Sequence, residues 1–225
     1  EGGWLGYKTI PKKLGLMVEE VECHDAVLDL SNVQEKLKSG KIGALLYQNP
    51  GGYFAEQPME EIYVLCRSAG CLVILDVSGA LGTKLSDGRY ADILLGSFGE
   101  GKLVDAGGGG FFSCKKKELI DGLTFEEFVD AKTLLVIYHK LNKLNMRIAF
   151  LQEKRAKVIK DLSEFAVVHK EDYGLVVVVR CTNDAEKEKI KDYCLNQQLP
   201  WTECPRYIRL NAQAVSIEIK RLTNE

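Results

Sequence analysis

Two residues of complementary chemistry stand at comparable places in the first half of the chain. Asp76 closes the apolar run Leu72-Val73-Ile74-Leu75, which places a carboxylate at the carboxyl end of a buried strand. Lys102 follows a second apolar run, Ile93-Leu94-Leu95, after the turn Gly96-Ser97-Phe98-Gly99-Glu100-Gly101. Ligands of open α/β sheets bind at the carboxyl ends of the strands, so the acid and the amine can reach one edge. A buried carboxylate needs a cationic partner, because an unpaired buried charge is expensive. A lysine amine among apolar walls and beside another cation loses basicity and can form an imine with a carbonyl compound. Each signal alone has a plain alternative: a strand-end Asp commonly caps a helix, and a Lys after a glycine turn commonly faces solvent.

The stretch 96–102 also fits G-x-x-x-x-G-K, most of a nucleotide-binding P-loop. That motif needs Ser or Thr next, and a helix whose N-terminus faces the phosphates. Leu103 follows instead, and four glycines at 107–110 oppose a helix, so an NTPase is disfavoured.

A sheet must position these side chains. Residues 16–21 alternate apolar and charged and predict a strand. Residues 31–38 predict a helix with Ser31 as N-cap and Gly40 as its stop. The apolar run 42–47 predicts a buried parallel strand, and 58–69 a helix that ends before Gly70. Residues 72–75, 93–95 and those around Phe111 and Phe112 predict further strands. From about Thr124 to Leu162 the pattern is largely helical, with part of it one long helix; Leu134, Leu135, Tyr138, Leu141, Leu144, Ile148 and Leu151 recur at helical spacing. A strand at 175–181, a helix at 184–195, a strand at 207–211 and a terminal helix at 215–222 complete the chain. The expected fold is α/β: a three-layer large lobe with a mostly parallel sheet over 1–140, then a connecting helix and a small C-terminal α/β lobe over 141–225.

Composition narrows the class. A net charge of −2 leaves no basic surplus for nucleic acid, and the lysines at 115–117 read as a solvated segment. No apolar stretch reaches the ~20 residues that a membrane span needs, and no signal peptide opens the chain. The first residues, Glu1-Gly2-Gly3-Trp4, carry no Met and read like the interior of a domain. The seven cysteines are odd in number and lack C-x-x-C spacing, so buried free thiols in a reducing cytoplasm are expected, without a disulfide framework or zinc site. His24, His139 and His169 are isolated and fit no ligand spacing. No metal site is expected.

Asp76, the small-residue segment to Gly82, Ser97-Phe98 with Lys102, and Gly107 to Gly110 together resemble the fold-type-I pyridoxal-phosphate (PLP) enzymes of the aspartate aminotransferase superfamily. The resemblance is strongest to the sugar aminotransferase, DegT-like branch, and spans roughly residues 2–222. It implies pyridoxal 5'-phosphate as cofactor, with Asp76 on the pyridinium, Ser97 on the phosphate, Ser78 among the cofactor contacts and Lys102 as the Schiff-base lysine that also moves the substrate's α-proton. Trp4 matches the aromatic residue that stacks on the cofactor ring, with Tyr7 the lesser alternative. Asn49, in Gln48-Asn49-Pro50, resembles the Asn that touches the cofactor's phenolic oxygen; a plain Asn-Pro turn is the other reading. Arg209, in Tyr207-Ile208-Arg209-Leu210, resembles the arginine of the small lobe that binds a substrate carboxylate, with Arg206 and Arg180 as rivals.

The resemblance further implies a homodimer and an aminotransferase acting on a small amino compound, an amino acid or amino sugar. The same Asp and Lys would serve a decarboxylase, lyase or selenotransferase of this fold, or persist in a non-catalytic homologue. Three departures stand out. Gly79 occupies a position where the family usually carries Gln, His or Tyr, the Gly-Ser/Thr phosphate turn expected ahead of Trp4 is not in this sequence, and the small lobe is short.

Overall fold

The computed structural model describes residues 1–121 and 129–223. The chain begins with helix α1 (Gly6–Lys13) and a short hairpin of β1 (Cys23–His24) and β2 (Val27–Leu28), turned by Asp25 and Ala26 at positive φ. The strand expected at 16–21 does not form, and Leu16 and Met17 are exposed. Alternation without a neighbouring strand gives no cross-strand pairs, which are the unit of sheet stability. Helix α2 (Leu30–Leu37) starts one residue before the expected cap. Asp29 is the cap, its carboxylate accepting the Ser31 and Asn32 amides.

The large sheet joins β3 (Ala44–Gln48), β4 (Leu72–Asp76), β5 (Ile93–Ser97) and β6 (Gly110–Cys114) in that order. Its first three strands are parallel, and β6 runs antiparallel to β5. Helix α3 (Met59–Ser68) crosses between β3 and β4 and stops before Gly70, whose φ of +70° is the left-handed conformation that ends helices. Alternation along β4 turns Val73 and Leu75 toward Ile62 and Cys66 of α3, with α2 residues packed against the same cluster. Burying one such aliphatic side chain stabilises the fold by roughly 1.5–3 kcal/mol. In register, Gln48, Asp76 and Leu95 lie side by side, which sets Asp76 at the carboxyl edge.

The second half begins with α4 (Ala131–Asn142), capped by Asp130, and α5 (Leu144–Asp161), with Lys143 between them. Residues 124–128 of the expected helical stretch lie outside the described residues. The small sheet contains β7 (Ala166–Val168), β8 (Val177–Arg180), β9 (Trp201–Cys204) and β10 (Ala214–Ile217), in the order β7-β8-β10-β9, all antiparallel. Helix α6 (Asp184–Asn196) follows β8, with Asn183 as its cap.

Two expectations fail here. The strand placed at 207–211 is a turn, in which Arg206 donates to the Leu210 carbonyl and Arg209 to the Arg206 carbonyl, each at 2.9 Å. The helix placed at 215–222 is β10 followed by one 3-10 turn, Ile219–Arg221. The reason is burial on both faces: Val215 and Ile217 enter one core cluster while Ala214 enters another.

The same division governs β8. Val177 and Val179 pack among the helices, and Val176 and Val178 pack against Tyr53 and Phe54. The larger cluster also takes in Phe98, Leu103 and Val104, so the turn that carries Lys102 is anchored in the core of the small lobe.

Candidate active site

The turn after β5 is built to hold an unusual path. Gly101 has φ +70°, its amide donates to Asp105 Oδ2 at 2.7 Å, and Gly107 donates to Asp105 Oδ1 at 3.1 Å. Phe98 and Leu103, both buried, fix the turn on either side of Lys102. No helix follows Lys102, as the sequence required for excluding a P-loop. The Lys102 Nζ donates to the Tyr53 hydroxyl and lies 5.1 Å from that ring's centroid.

Asp76 ends β4 with both carboxylate oxygens engaged. The Ser78 amide donates to Oδ1 at 2.7 Å, and the Tyr7 hydroxyl donates to Oδ2 at 2.5 Å. Burial first, then the Asp76 carboxylate and the Tyr53 hydroxyl, push the Tyr7 phenol far above its ordinary value. The acid and the amine thus each hold a phenol, Asp76 that of Tyr7 and Lys102 that of Tyr53.

Tyr53 is the residue that sequence reasoning missed. It is buried, and its φ of +69° is a backbone conformation that bulky residues rarely adopt. Gly79 explains its position, since a Cβ at 79 would lie 2.6 Å from the Tyr53 ring. The ring therefore takes the space that a side chain at 79 would fill. Only the neighbouring Asn49-Pro50-Gly51-Gly52 turn hinted at a special backbone here.

Three cations surround the same ring. Besides Lys102, the Arg209 guanidinium carbon lies 5.1 Å and the Lys220 Nζ 4.8 Å from its centroid. Arg209 is buried with three of its five N–H donors engaged: Nε donates to Glu218 Oε1 at 3.0 Å, Nη2 to Glu218 Oε2 at 2.7 Å and Nη1 to the Ile208 carbonyl at 2.9 Å. The Nε–Nη2 edge of Arg209 is thus turned to Glu218, and one N–H each on Nη1 and Nη2 is left for a substrate carboxylate. Burial opposes the ionised form of Glu218, but Arg209, Lys220 and Arg221 override it and hold its carboxyl below the usual range. Lys220 is pulled down to about 8, first by burial and then by Arg209, Lys102 and Arg221, with Glu218 opposing.

The remaining expected residues divide. Ser78 and Ser97 come together, with the Ser97 amide donating to Ser78 Oγ at 2.9 Å and the Gly99 amide to Ser97 Oγ at 3.1 Å. Each hydroxyl, accepting in this way, keeps its own proton to donate. Asn49 is fully buried and turned inward; its Oδ1 accepts the Gln57 amide at 3.0 Å and its Nδ2 donates to the Leu85 carbonyl at 3.4 Å. Trp4 is half exposed, edge-on to Tyr7 at 5.9 Å, so Tyr7 and not Trp4 reaches Asp76. The other rivals are elsewhere: Arg180 pairs with Asp25 at 2.6 Å, and Arg206 lines a separate cavity of about 490 Å³ between the hairpin and the 205–212 turn.

A mostly parallel sheet followed by an antiparallel small lobe is the fold of the PLP-dependent transferases. Residues 15–129 match the DegT/DnrJ/EryC1/StrS aminotransferase family, and the chain belongs to that family. Its C-terminal part, residues 139–225, matches the MJ1341 family C-terminal domain. No curated protein sequence matches. The fold is shared with alanine–glyoxylate aminotransferase from Nostoc sp., at TM-score 0.70 and 14% identity, over 97% of this chain and 68% of that one. It is shared with 3-amino-5-hydroxybenzoic acid synthase at TM-score 0.72 and 16% identity, over 97% and 73% of the two chains. It is shared too with PseC of Helicobacter pylori, an aminotransferase of pseudoaminic acid biosynthesis, at TM-score 0.74 and 12% identity, over 96% and 71%. Among the described residues no group of His, Cys, Asp and Glu could hold a metal ion, and no helix is long and apolar enough to cross a membrane.

Proposed function

We propose that Lys102 carries pyridoxal phosphate and that the protein transfers an amino group to or from a small amino compound. The observation that supports this most is the placement of Asp76 and Lys102, each holding a phenol hydroxyl at one sheet edge. The donor set fits the cofactor. Asp76 Oδ2 already accepts an O–H from outside the strand, so it can accept a pyridinium N–H in the same way. Ser78 and Ser97 have hydroxyl protons to give to phosphate oxygens.

When bound, the cofactor supplies an aldehyde for an amine and a ring that withdraws electrons. The chain does the rest. The Lys102 amine would hold the cofactor's aldehyde carbon and, once displaced by a substrate amine, would take the proton from the donor's α-carbon and in the second half-reaction give one to the acceptor's. The Tyr53 hydroxyl holds Nζ in place, and the packed turn of Phe98 and Leu103 limits its wandering. Asp76 keeps a positive charge on the ring nitrogen favourable. Residues 1–140 form the cofactor lobe in this reading, and 141–225 the lobe that closes over it. A homodimer is supported by the exposed Leu134, Leu135 and Tyr138 of α4, and a reducing cytoplasm by seven free thiols.

The test is borohydride reduction of the protein incubated with pyridoxal phosphate, followed by peptide mass spectrometry. The cofactor mass should appear on Lys102. Lys102→Ala should lack it and slow an amino-donor half-reaction by roughly 10²–10⁴-fold or more. Label on a different lysine, or none, refutes the assignment.

A further inference from the structure

We propose that Tyr7 is an internal competitor of the cofactor, and that helix α1 is a latch which cofactor loading releases. The inference rests on the reading of Asp76 as the acid that faces the cofactor's ring nitrogen. Of the two Asp76 oxygens, Oδ1 accepts the Ser78 amide at 2.7 Å. Oδ2 is left for a group from outside the strand, and the Tyr7 hydroxyl donates to it at 2.5 Å. A second acceptor, Gln48 Oε1, lies 3.5 Å from the same hydroxyl, at the limit of a hydrogen bond, so Asp76 is what holds it. Gln48 and Asp76 are register partners at the ends of β3 and β4, so the phenol lies against the carboxyl edge itself. A hydroxyl and a pyridinium are both donors, and both seek the same ionised oxygen. The pyridinium adds a full charge, and a bond between two ions is stronger than one between an ion and a neutral group. The phenol therefore yields to the cofactor, and its hold on Asp76 lowers the apparent affinity of the site.

The helix that carries Tyr7 is otherwise loosely held. α1 has eight residues, fewer than the roughly 12–15 that an isolated helix needs. Its N-cap, Leu5, has no side-chain oxygen to accept the first amides, and Pro11 removes a donor from its interior. Gly6 is its buried residue, while Leu5, Ile10 and Leu14 are exposed. Among the described residues, the backbone hydrogen bonds of 4–16 stay within that segment. Two side chains bond beyond it, Tyr7 to the sheet edge and Lys8 to the exposed Glu20. An exposed ion pair of that kind adds little. Gly2, ahead of the helix, is pinned: its amide donates to the Tyr207 carbonyl at 2.9 Å, and its carbonyl accepts the Gly52 amide at 2.7 Å. Gly15, behind it, stands in open space at φ +78°. Tyr7 is thus the chief polar tie between a marginal helix and the sheet, and losing that bond frees α1. Elements that move at binding sites are drawn from this weakly held end of the stability range.

The experiment uses the full chain, with pyridoxal phosphate as the probe. Hydrogen exchange read by mass spectrometry follows the amides of 6–14 in native protein before and after loading. Loading should speed their exchange by about tenfold or more, while the amides of β4 stay protected. Tyr7→Phe keeps the ring and removes the hydroxyl. Its α1 should exchange fast before loading, and it should bind the cofactor about tenfold more tightly in a spectrophotometric titration. The native exchange data stand by themselves if the Phe variant fails to fold. Slower or unchanged exchange of α1 on loading overturns the latch. So does equal or weaker cofactor binding by Tyr7→Phe, the weaker case assigning Tyr7 to the support of Asp76. Borohydride mapping on the same samples separates the two readings. Unlabelled Lys102 refutes the cofactor assignment and the latch with it, whereas labelled Lys102 with α1 unchanged refutes only the latch.

Discussion

At the scale of single residues, the site is a contest between burial and charge, and Lys220 shows the outcome most directly. Its value in the folded chain, about 8, lies below the ordinary 10.5. Between those values the unfolded chain holds a proton that the folded chain has released. Folding is therefore penalised in full below about 8 and favoured progressively as pH rises through the window. Lys220→Met should remove this slope. Its stability relative to native, from urea unfolding at several pH values, should be highest near neutral pH and should fall toward about pH 10. A difference independent of pH would show that Lys220 is not the titrating group. Arg209 teaches the converse. Its sequence context resembles that of a substrate-binding arginine, yet Glu218, nine residues on, claims its fork.

At the scale of elements, Gly79 fits tightly against the Tyr53 loop. Gly79→Ala puts a methyl 2.6 Å from a ring that is buried and held at the Lys102 amine, so the ring must move. The expected cost is about 1–3 kcal/mol in unfolding free energy, with weaker cofactor retention in a spectrophotometric titration. An alanine variant equal to native in both would mean that Tyr53 has room to spare.

Much of this scaffold was readable beforehand. The short apolar runs at β3, β4 and β5, the glycine after α3 and the Asp at a strand end follow from periodicity and chain punctuation alone. What escaped was set by tertiary burial. Residues 214–217 carry no strand signature apart from packing on both sides, and the terminal segment 215–222 therefore read as helix. Tyr53 escaped because its position depends on a vacancy at 79, far along the chain, that no local pattern records.

At the scale of the whole molecule, one core cluster joins the Lys102 turn to α4, α5, α6 and the small sheet. The two lobes should therefore unfold together. Trp4 lies beside α1 and Trp201 begins β9, so tryptophan fluorescence and far-UV circular dichroism should follow one urea transition. Leu151→Ala, at a fully buried position of α5, should move both probes by the same amount, about 2–5 kcal/mol. Separated midpoints would show lobes that melt independently.

The paired amide bonds through residue 175 carry a mechanical implication. A single residue of the small lobe, Leu175, grips the backbone of Tyr53 through its amide and that of Lys220 through its carbonyl. The Lys102 turn is packed into the core of the same lobe, so a displacement of that lobe carries the phenol and both amines together and leaves their mutual spacing unchanged.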